Sequence, residues 1–361
     1  ALQYQPTAFG GYGFGFTGPN PRLKPEFKKS YELGADLAFL DDRLALDVTY
    51  YRSRRDDMIV NGIRGSYGTG FILFNLNGGS SRNTGVEVTL NATPVLRDQF
   101  SWDVMVNFDR ARGKVLTLPA DLPETYNSDT WLYGNVRNGT APGRSTLAIT
   151  GAFYLRNKNG ELLIDPTTGY PIRSSTFIDG GYDRQPDWTS GVQNTLKYGR
   201  HSFSFLVDIR KGGHVLNATE HYLTARGLTK RTLNREQPLV VKGVLRDGKE
   251  NTDNPTRNNI VVVPAIHSGY YTGMSEELFI EDVNWVRLRD VTLRLGLPAR
   301  FGRNASAFVT ATDLFLLTNY SGLDPVVNGN TAAVGGSGGR GIDFGNFPMP
   351  RGINFGIRTS F

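Results

Sequence analysis

The chain has 361 residues, a formal net charge of +6 and no cysteine. The lack of cysteine excludes a disulfide scaffold and any thiolate metal site. The 40 basic residues are interspersed with 34 acidic ones and form no long basic block, so the sequence does not predict nucleic-acid binding. With 43 glycines, 21 phenylalanines and 16 tyrosines, the composition favours a turn-rich β protein.

No segment predicts a membrane helix, which needs roughly 20 consecutive apolar residues. The best apolar run, residues 260–266, is short and contains Pro264. A helical membrane protein is therefore excluded. A transmembrane β-barrel is compatible with the negative mean hydropathy, because each of its strands presents only every second residue to lipid.

Nine strands are predicted in chain order. Six segments alternate apolar with polar residues, the pattern of strands with one greasy face: residues 31–39, 43–50, 86–91, 100–108, 202–209 and 352–361. Three further strands have weaker alternation, at residues 189–197, 284–297 and 304–315. In the second of these, Arg287 and Arg289 share a face with Trp285 and Val291, which predicts a β-bulge that shifts the phase.

The connections between the predicted strands alternate in length. Short links are expected at residues 41–42, 93–98, 198–200 and 298–303, and long ones at residues 55–82, 112–188, 212–283 and 316–350. Short turns on one side and long loops on the other are typical of a transmembrane barrel, with short turns in the periplasm and long loops outside the cell. The sequence therefore predicts extracellular long loops and a periplasmic carboxy terminus.

Bacterial single-chain barrels have even strand numbers. The odd strand count therefore predicts that residues 1–361 are the carboxy-terminal part of one larger barrel domain. The edge of the first strand must then pair with strands upstream. Polar residues opposite the apolar face are expected to line a wet lumen, with contact to a plug or to cargo as the alternatives. They are Glu32, Asp36, Asp47, Glu87, Asp103, Asp208, Arg210 and Arg294.

Several blocks of sequence resemble SusC/RagA-like TonB-dependent outer-membrane transporters. They are NPRLKPEFKKSYELGADLAFLDDRLALDVTYYRSRRDDMI at residues 20–59, NTGVEVTLNATPV at 83–95, QPDWTSGVQNTLKY at 185–198, FIEDVNWVRLRDVTLRLGLP at 279–298, NYSGLDPVV at 319–327 and FPMPRGINFGIRTSF at 347–361. The blocks are spread over the whole chain, and the first and the last two are specific when taken together.

The resemblance implies an all-β fold, a transmembrane antiparallel barrel of about 22 strands with an amino-terminal plug. It also implies energy from TonB, a SusD-like lipoprotein lid and a large glycan or peptide cargo. The plug, the TonB-binding segment and the earlier strands are not in this sequence. At the end of the chain, Asn354, Gly356, Thr359 and Phe361 resemble the signal by which barrels are recognised for insertion, although Phe361 could simply anchor the last strand at the interface.

Three motifs favour plain structural interpretations over cofactor or metal sites. Residues 336–341 spell GxGxxG, but no predicted strand precedes them and no helix follows, which favours a flexible outer loop and no cofactor. The potential metal ligands of one long loop lack helical spacing and are expected to be solvated; they are His214, Glu220, His221 and His267. Residues 157–161 and 247–254 only faintly resemble calcium loops, so structural calcium in the outer loops is a minor alternative.

No GxSxG or HExxH motif and no paired carboxylates of arguable spacing occur, so the sequence does not predict an enzyme. The favoured function is TonB-dependent import of a large nutrient. A passive porin and a structural barrel that anchors a surface complex are the alternatives, since all three need the same lipid-facing strands.

Overall fold

The computed structural model of the chain describes residues 4–6, 12–14, 18–64, 73–119, 122, 125–129, 135–267, 269–327 and 340–360. Within these ranges no helix is both long enough and apolar enough to cross a membrane. The largest element is one sheet of nine antiparallel strands, which confirms the predicted fold class.

The nine strands follow one another in space in the order in which they occur along the chain. They are β1 (Phe27–Phe39), β2 (Leu44–Asp56), β3 (Ser80–Arg97), β4 (Phe100–Thr117), β5 (Trp188–Tyr198), β6 (His201–Lys211), β7 (Trp285–Gly296), β8 (Arg303–Thr318) and β9 (Gly352–Ser360). Each strand pairs with its predecessor and its successor, so β1 and β9 form the two edges. The predicted succession of antiparallel neighbours is thus confirmed.

The register of the sheet aligns the apolar residues of neighbouring strands. Leu46 lies opposite Leu37 of β1 and Leu90 of β3, and Leu90 lies opposite Val106 of β4. Near the other edge, Val309 lies opposite Leu293 and Phe355. Because directly opposed residues point to the same side of a sheet, one face of all nine strands is apolar.

A β-bulge interrupts the pairing of β7, as the sequence predicts. The register shifts between Leu288 and Asp290, which leaves Arg289 as the extra residue. The facing strand β8 is irregular at the same place, and Asp313 there has a φ of 51°. The shift returns Leu288 to the apolar face and Arg287 to the polar one.

Short turns join the strands at one end of the sheet. The first turn has three consecutive residues with positive φ, Leu40, Asp41 and Asp42, and two of the three are the aspartates that tolerate this conformation better than most residues. The β5–β6 turn uses Gly199 at φ 52°. The predicted link at residues 93–98 was too long, because β3 continues to Arg97 past a register shift between Ala92 and Val95.

The long connections carry short strands and helices of their own. The pairs and small sheets are Tyr4–Pro6 with Tyr12–Phe14; Ile59–Arg64 with Leu73–Asn77; Ile178–Asp183, Ala148–Gly151, Val136–Thr140 and Thr125–Asp129; Leu163–Ile164 with Val244–Leu245; Ile280–Asp282, His214–Asn217 and Ile342–Asp343; and Leu239–Val240 with Val261–Val262. The α-helices are α1 (Ala218–Ala225) and α2 (Gly269–Thr272), and the 3-10 helices are Lys230–Thr232, Glu276–Phe279 and Ala299–Phe301.

The described parts of three long connections, residues 118–187, 212–284 and 319–351, pack together. We call them the outer-loop body, after the extracellular position that the sequence predicts for these loops. One hydrophobic cluster takes residues from all three: Val136, Ile149, Phe153, Leu216, Ala218, Phe279 and Ile342. The strand Ile342–Asp343 of the third connection pairs in parallel with His214–Asn217 of the second. These connections therefore fold as one unit with a core of its own.

Candidate transport face and outer-loop body

The polar face of the sheet contains the residues that the sequence assigns to a lumen. Cross-strand pairing puts them opposite other polar-face residues and out of phase with the apolar rows. This holds for Glu32, Asp36, Asp47, Glu87, Asp103, Asp208, Arg210 and Arg294. That this face lines a barrel lumen remains a prediction.

Carboxylates lie directly opposite each other twice on this face. Asp36 faces Asp47 across β1 and β2, and Glu87 faces Asp109 across β3 and β4. Glu87, Asp109 and Asp208 line a shallow groove of about 320 Å³. Like charges that lie opposite each other destabilise a sheet unless solvent or a counter-charge compensates them. The polar face of the sheet is therefore expected to contact water or cations.

Other predicted lumen residues have partners within the chain. Asp103 forms an ion pair of 2.8 Å with Lys197, and Asp208 accepts a 3.1 Å hydrogen bond from the Trp285 indole. The guanidinium of Arg210 lies 5.0 Å from the centre of the Trp285 ring and donates to the carbonyl of Arg184 at 2.8 Å. Arg210 therefore connects the sheet to the base of the outer-loop body.

A buried ionic network at the amino-terminal end of β7 was not predicted. Arg287 is 2% exposed and pairs with Asp324 at 2.5 Å and with Asp313 at 3.2 Å. Asp324 also accepts hydrogen bonds from the backbone N–H groups of Val326 and Met349. One carboxylate thus ties both ends of the third connection to the sheet. The phase break at Arg287 was visible in the sequence, but its partner, 37 residues away, was not.

Two of the sequence blocks that carry the family resemblance bind each other. Glu281 accepts hydrogen bonds from the backbone and the hydroxyl of Ser321, at 2.8 and 2.5 Å. Asn319 accepts from the Asn284 backbone N–H at 2.8 Å and donates to the Asp282 carbonyl at 2.7 Å. The FIEDVN and NYSGLDP segments therefore form one joint where the second and third connections leave the sheet.

A buried tyrosine–aspartate pair holds the third connection against the body. The Tyr320 hydroxyl donates to Asp343 at 2.6 Å, and both residues are buried. Burial raises the pKa of the Asp343 carboxyl above its ordinary value. It also raises the pKa of Tyr320, with the nearby Asp343 charge as the next cause. Tyr320 therefore stays protonated and donates its hydrogen to Asp343.

The histidines of the second connection are structural, and the expectation that they are solvated is wrong for His221. That ring is 8% exposed, with Nε2 3.3 Å from the Met274 carbonyl. His214 Nδ1 lies 2.9 Å from the Asp183 carbonyl, and His267 Nδ1 lies 2.8 Å from the Val263 carbonyl. Helix α1 contains Glu220 and His221. Among the described residues no group of three or more His, Asp or Glu is arranged to hold a metal.

The two segments that faintly resemble calcium loops lie against each other. Asn157 donates to the carbonyl of Glu250 at 3.0 Å, and the Lys158 N–H donates to Asn251 at 2.8 Å. Their carboxylates already have donors within the chain, because Glu161 binds Arg257 and Asp247 binds Thr256. Hydrogen bonds from these donors lower the pKa of both acids. Hydrogen bonds within the chain thus hold the two segments together and occupy these two carboxylates.

The glycine-rich motif is only partly described, since residues 336–339 lie outside the described ranges. The Arg340 carbonyl accepts hydrogen bonds from Arg184 at 2.9 Å and Asn138 at 3.3 Å. Gly341 has a φ of 80°, and a Cβ there would lie 2.7 Å from Arg184. A short strand, Ile342–Asp343, comes next where a dinucleotide fold would begin a helix.

The predicted insertion signal lies on the edge strand β9. Gly356 faces Phe308, and a Cβ at Gly356 would lie 2.8 Å from that ring. Asn354 faces Thr310, and the Thr359 hydroxyl donates to the Phe301 carbonyl at 3.0 Å. Phe361 lies outside the described residues. A role of these residues in insertion stays a prediction.

Comparison with known proteins identifies similar chains. The family model described as TonB dependent receptor-like, beta-barrel matches residues 2–135. TonB-dependent receptor P26 of Formosa agariphila is 25% identical, with 95% of this chain and 35% of that protein covered. TonB-dependent receptor SusC of Bacteroides thetaiotaomicron is 22% identical, with 95% of this chain and 32% of SusC covered. The chain thus spans about a third of the length of these relatives.

Solved structures show the same fold over almost the whole chain. The RagAB peptide transporter superposes with a TM-score of 0.69 at 19% identity, covering 99% of this chain and 38% of that one. The RagAB peptide importer in its 'closed-closed' state gives a TM-score of 0.67 at 18% identity, with the same coverage. The chain is thus similar in sequence to TonB-dependent receptors, SusC among them, and its fold matches that of part of the RagAB chain.

Proposed function

We propose that this chain is the carboxy-terminal part of a barrel that imports a large nutrient, of the glycan or peptide class, across the bacterial outer membrane. The carrying observation is the asymmetry of the nine-stranded sheet, with short turns at one end and a folded outer-loop body at the other. In an outer-membrane barrel the turns lie in the periplasm and the long loops outside. The kinship with TonB-dependent receptors supports energised import and gives no support to an enzyme.

The partners in this proposal follow from the relatives and from the two edges of the sheet, which have no strand partner among the described residues. Backbone groups of β1 and β9 at the sheet edges need strand partners in lipid, and the amino-terminal part of the same transporter would supply them together with a plug. TonB would act through that missing part. A SusD-like lipoprotein would cover the outer-loop body, and lipid of the outer membrane would surround the apolar face. A structural calcium in the loops is a secondary proposal.

Exposed apolar side chains on the second connection are candidates for the lid contact. Leu228, Leu233 and Ile266 are 70%, 77% and 76% exposed, and large apolar side chains exposed on a surface often mark a protein interface. Deletion of residues 230–265 is one test of this contact, but that segment contains the strand Val244–Leu245, which pairs with Leu163–Ile164. Deleting this whole segment would therefore disturb the body as well as the surface.

Point variants test the lid contact more cleanly than the deletion. Leu228, Leu233 and Ile266 would each be replaced by Ser in the full-length transporter. We expect less lipoprotein to co-purify and less uptake, with unchanged levels in the outer membrane. Exposed polar residues of the same connection, Asn254 and Asn259, would be changed to Ala as the control. Normal lid retention and uptake in the triple variant would contradict this role.

The alternatives are a passive porin and a structural anchor. A porin would conduct ions steadily when the full-length protein is placed in a planar bilayer, whereas a plugged importer would stay closed without TonB. Loss of growth on the cargo after removal of TonB would support import. Intact-complex mass spectrometry of the native protein would identify the lipoprotein and the upstream polypeptide, and a surface complex without uptake would favour the anchor.

A further inference from the structure

The apolar face of the sheet has a concentration of cations at the end that carries the long loops. Four cations lie side by side across four strands: Lys29 opposite Arg54, Arg54 opposite Arg82, and Arg82 opposite Lys114. They share the face of Leu33, Leu46, Leu90 and Val106, because no register shift separates them from those residues.

Three more cations occupy the next two rows of the same face. Arg52 and Arg112 flank Thr84, and Arg110 lies opposite Val86. We call these seven residues the cationic belt: Lys29, Arg52, Arg54, Arg82, Arg110, Arg112 and Lys114. Two of them have carboxylate partners, since Arg54 binds Asp56 and Arg112 binds Asp187, both in exposed pairs. The belt therefore retains a clear positive excess.

The height of the belt can be worked out from the strand register. The row Phe39, Leu44, Ala92 and Val104 lies ten residues further along each strand, near the short turns. Ten residues span about 33 Å along a strand, or about 25 Å along the membrane normal at the tilt of outer-membrane strands, which is the height of their apolar band. The belt thus lies where headgroups of the outer leaflet begin.

A row of directly opposed cations is unfavourable in isolation. Single Lys or Arg side chains near strand ends commonly serve only to reach the interface, but that role does not require four of them in one row. Phosphate groups compensate such a row best, because arginine binds phosphate through two parallel hydrogen bonds and lysine adds a compact charge. The turn-side row, Phe39, Leu44, Ala92 and Val104, is uncharged, so the feature belongs to one leaflet.

We propose that the cationic belt is a binding site for phosphorylated lipid of the outer leaflet. The inference rests on the proposed outer-membrane location and adds a ligand on the apolar face of the sheet, on the side opposite the polar face. Lipid phosphates would bridge neighbouring strands at Lys29, Arg54, Arg82 and Lys114, while acyl chains cover the apolar rows below. The bound lipid would then stabilise the sheet where its own charges repel.

The test uses the full-length transporter purified in detergent, with native mass spectrometry to count bound lipid. The probes are lipid A with its phosphates and the same lipid after their removal. The test variant changes Lys29, Arg54, Arg82 and Lys114 to Gln. The matched control changes two exposed lysines and two exposed arginines elsewhere, Lys230, Lys249, Arg22 and Arg246, to Gln. A charge-keeping variant exchanges Lys and Arg at the four belt positions.

We expect affinity for phosphorylated lipid A to fall roughly fivefold for each belt cation removed, with little change in the control and in the charge-keeping variant. Equal binding by wild type and test variant would overturn the proposal. So would equal binding of the dephosphorylated lipid, or displacement of the lipid by inorganic phosphate at the same concentration, which would indicate a site for a small free anion.

Two measurements separate this proposal from the proposed function. Should the fourfold variant fail to reach the outer membrane, the pairs Lys29→Gln with Lys114→Gln and Arg54→Gln with Arg82→Gln replace it, and each must lower lipid binding. Membrane fractionation and cargo uptake are measured in parallel. Normal uptake with unchanged lipid binding in the variants refutes the belt alone, whereas a wild-type protein outside the outer membrane refutes both.

Discussion

Replacing Asp324 by Asn should destabilise the third connection strongly, because it leaves the buried Arg287 guanidinium short of its main partner. Arg287 is 2% exposed and Asp324 is 5% exposed. Removing one member of a buried ion pair typically costs about 3 to 5 kcal/mol, much of it from the charge left behind. Asp313 still faces Arg287 at 3.2 Å, so we expect a value near the lower end, about 3 kcal/mol.

A double variant isolates the coupling between the two residues. Arg287→Met alone leaves Asp324 buried with only backbone donors, and should cost a similar amount. The combination of Arg287→Met with Asp324→Asn removes both charges, so it should cost less than the sum of the single changes by about 1 to 3 kcal/mol. Thermal unfolding of the purified full-length protein, together with limited proteolysis of residues 319–351, measures the effect. Additive single changes would refute the ion-pair argument.

Three further predictions concern the carboxy-terminal segment and the outer-loop body. Gly356→Leu should lower the amount of protein in outer-membrane fractions, because the new Cβ would lie 2.8 Å from the Phe308 ring. Adding Phe308→Ala should restore that amount, whereas Gly191→Ala should be neutral, because its Cβ would meet only Leu206 at 3.8 Å. Deleting Phe361 should reduce insertion, and unchanged membrane levels would remove its assembly role. Burial raises the folded pKa of Asp343, so stability should fall as the pH rises from about 4 to that pKa; Asp343→Asn should abolish this slope in melting curves, and an unchanged slope would assign it to another group.

The pH dependence has an opposite component at lower pH. Hydrogen bonds depress the folded pKa of Glu161, mainly from Arg257, and of Asp247, mainly from Thr256. Their contribution is present above the ordinary carboxyl pKa of about 4 and disappears as the pH falls through the folded values. The Asp343 effect occurs at pH values above about 4, and the Glu161 and Asp247 effects occur below it. The two effects can therefore be measured separately.

The strands and their faces were predictable because successive side chains of a strand point to opposite faces, so a strand with one apolar face has an apolar residue at every second position. The alternation within residues 43–50, 100–108 and 352–361 was sufficient to identify the apolar face of each of these strands, which contains Leu44, Val104 and Ile357 respectively. Even the bulge at Arg289 was visible as a break in that alternation. Strand ends were less predictable, since β4 continues to Thr117 beyond the clear pattern.

The outer-loop body was not predictable in the same way. Its core residues, such as Ile149, Leu216 and Ile342, come from three separate connections and have no common period in the sequence. The buried ion pair between Arg287 and Asp324 likewise depends on where two distant segments meet. The cationic belt was predictable only in part. The alternation within each strand assigns its cations to the apolar face, but only the pairing register shows that four of them form a row.

The shared core of the outer-loop body has a consequence for the order of assembly. Ile342 precedes β9 by ten residues, yet it packs with Val136 and Phe279 from the earlier connections. In the proposed topology, that core can close only after all three connections have reached the same side of the membrane. The first two would then cross as unfolded chain and remain so until the third arrives, and insertion of the last two strands would set the time of the final folding step outside the cell.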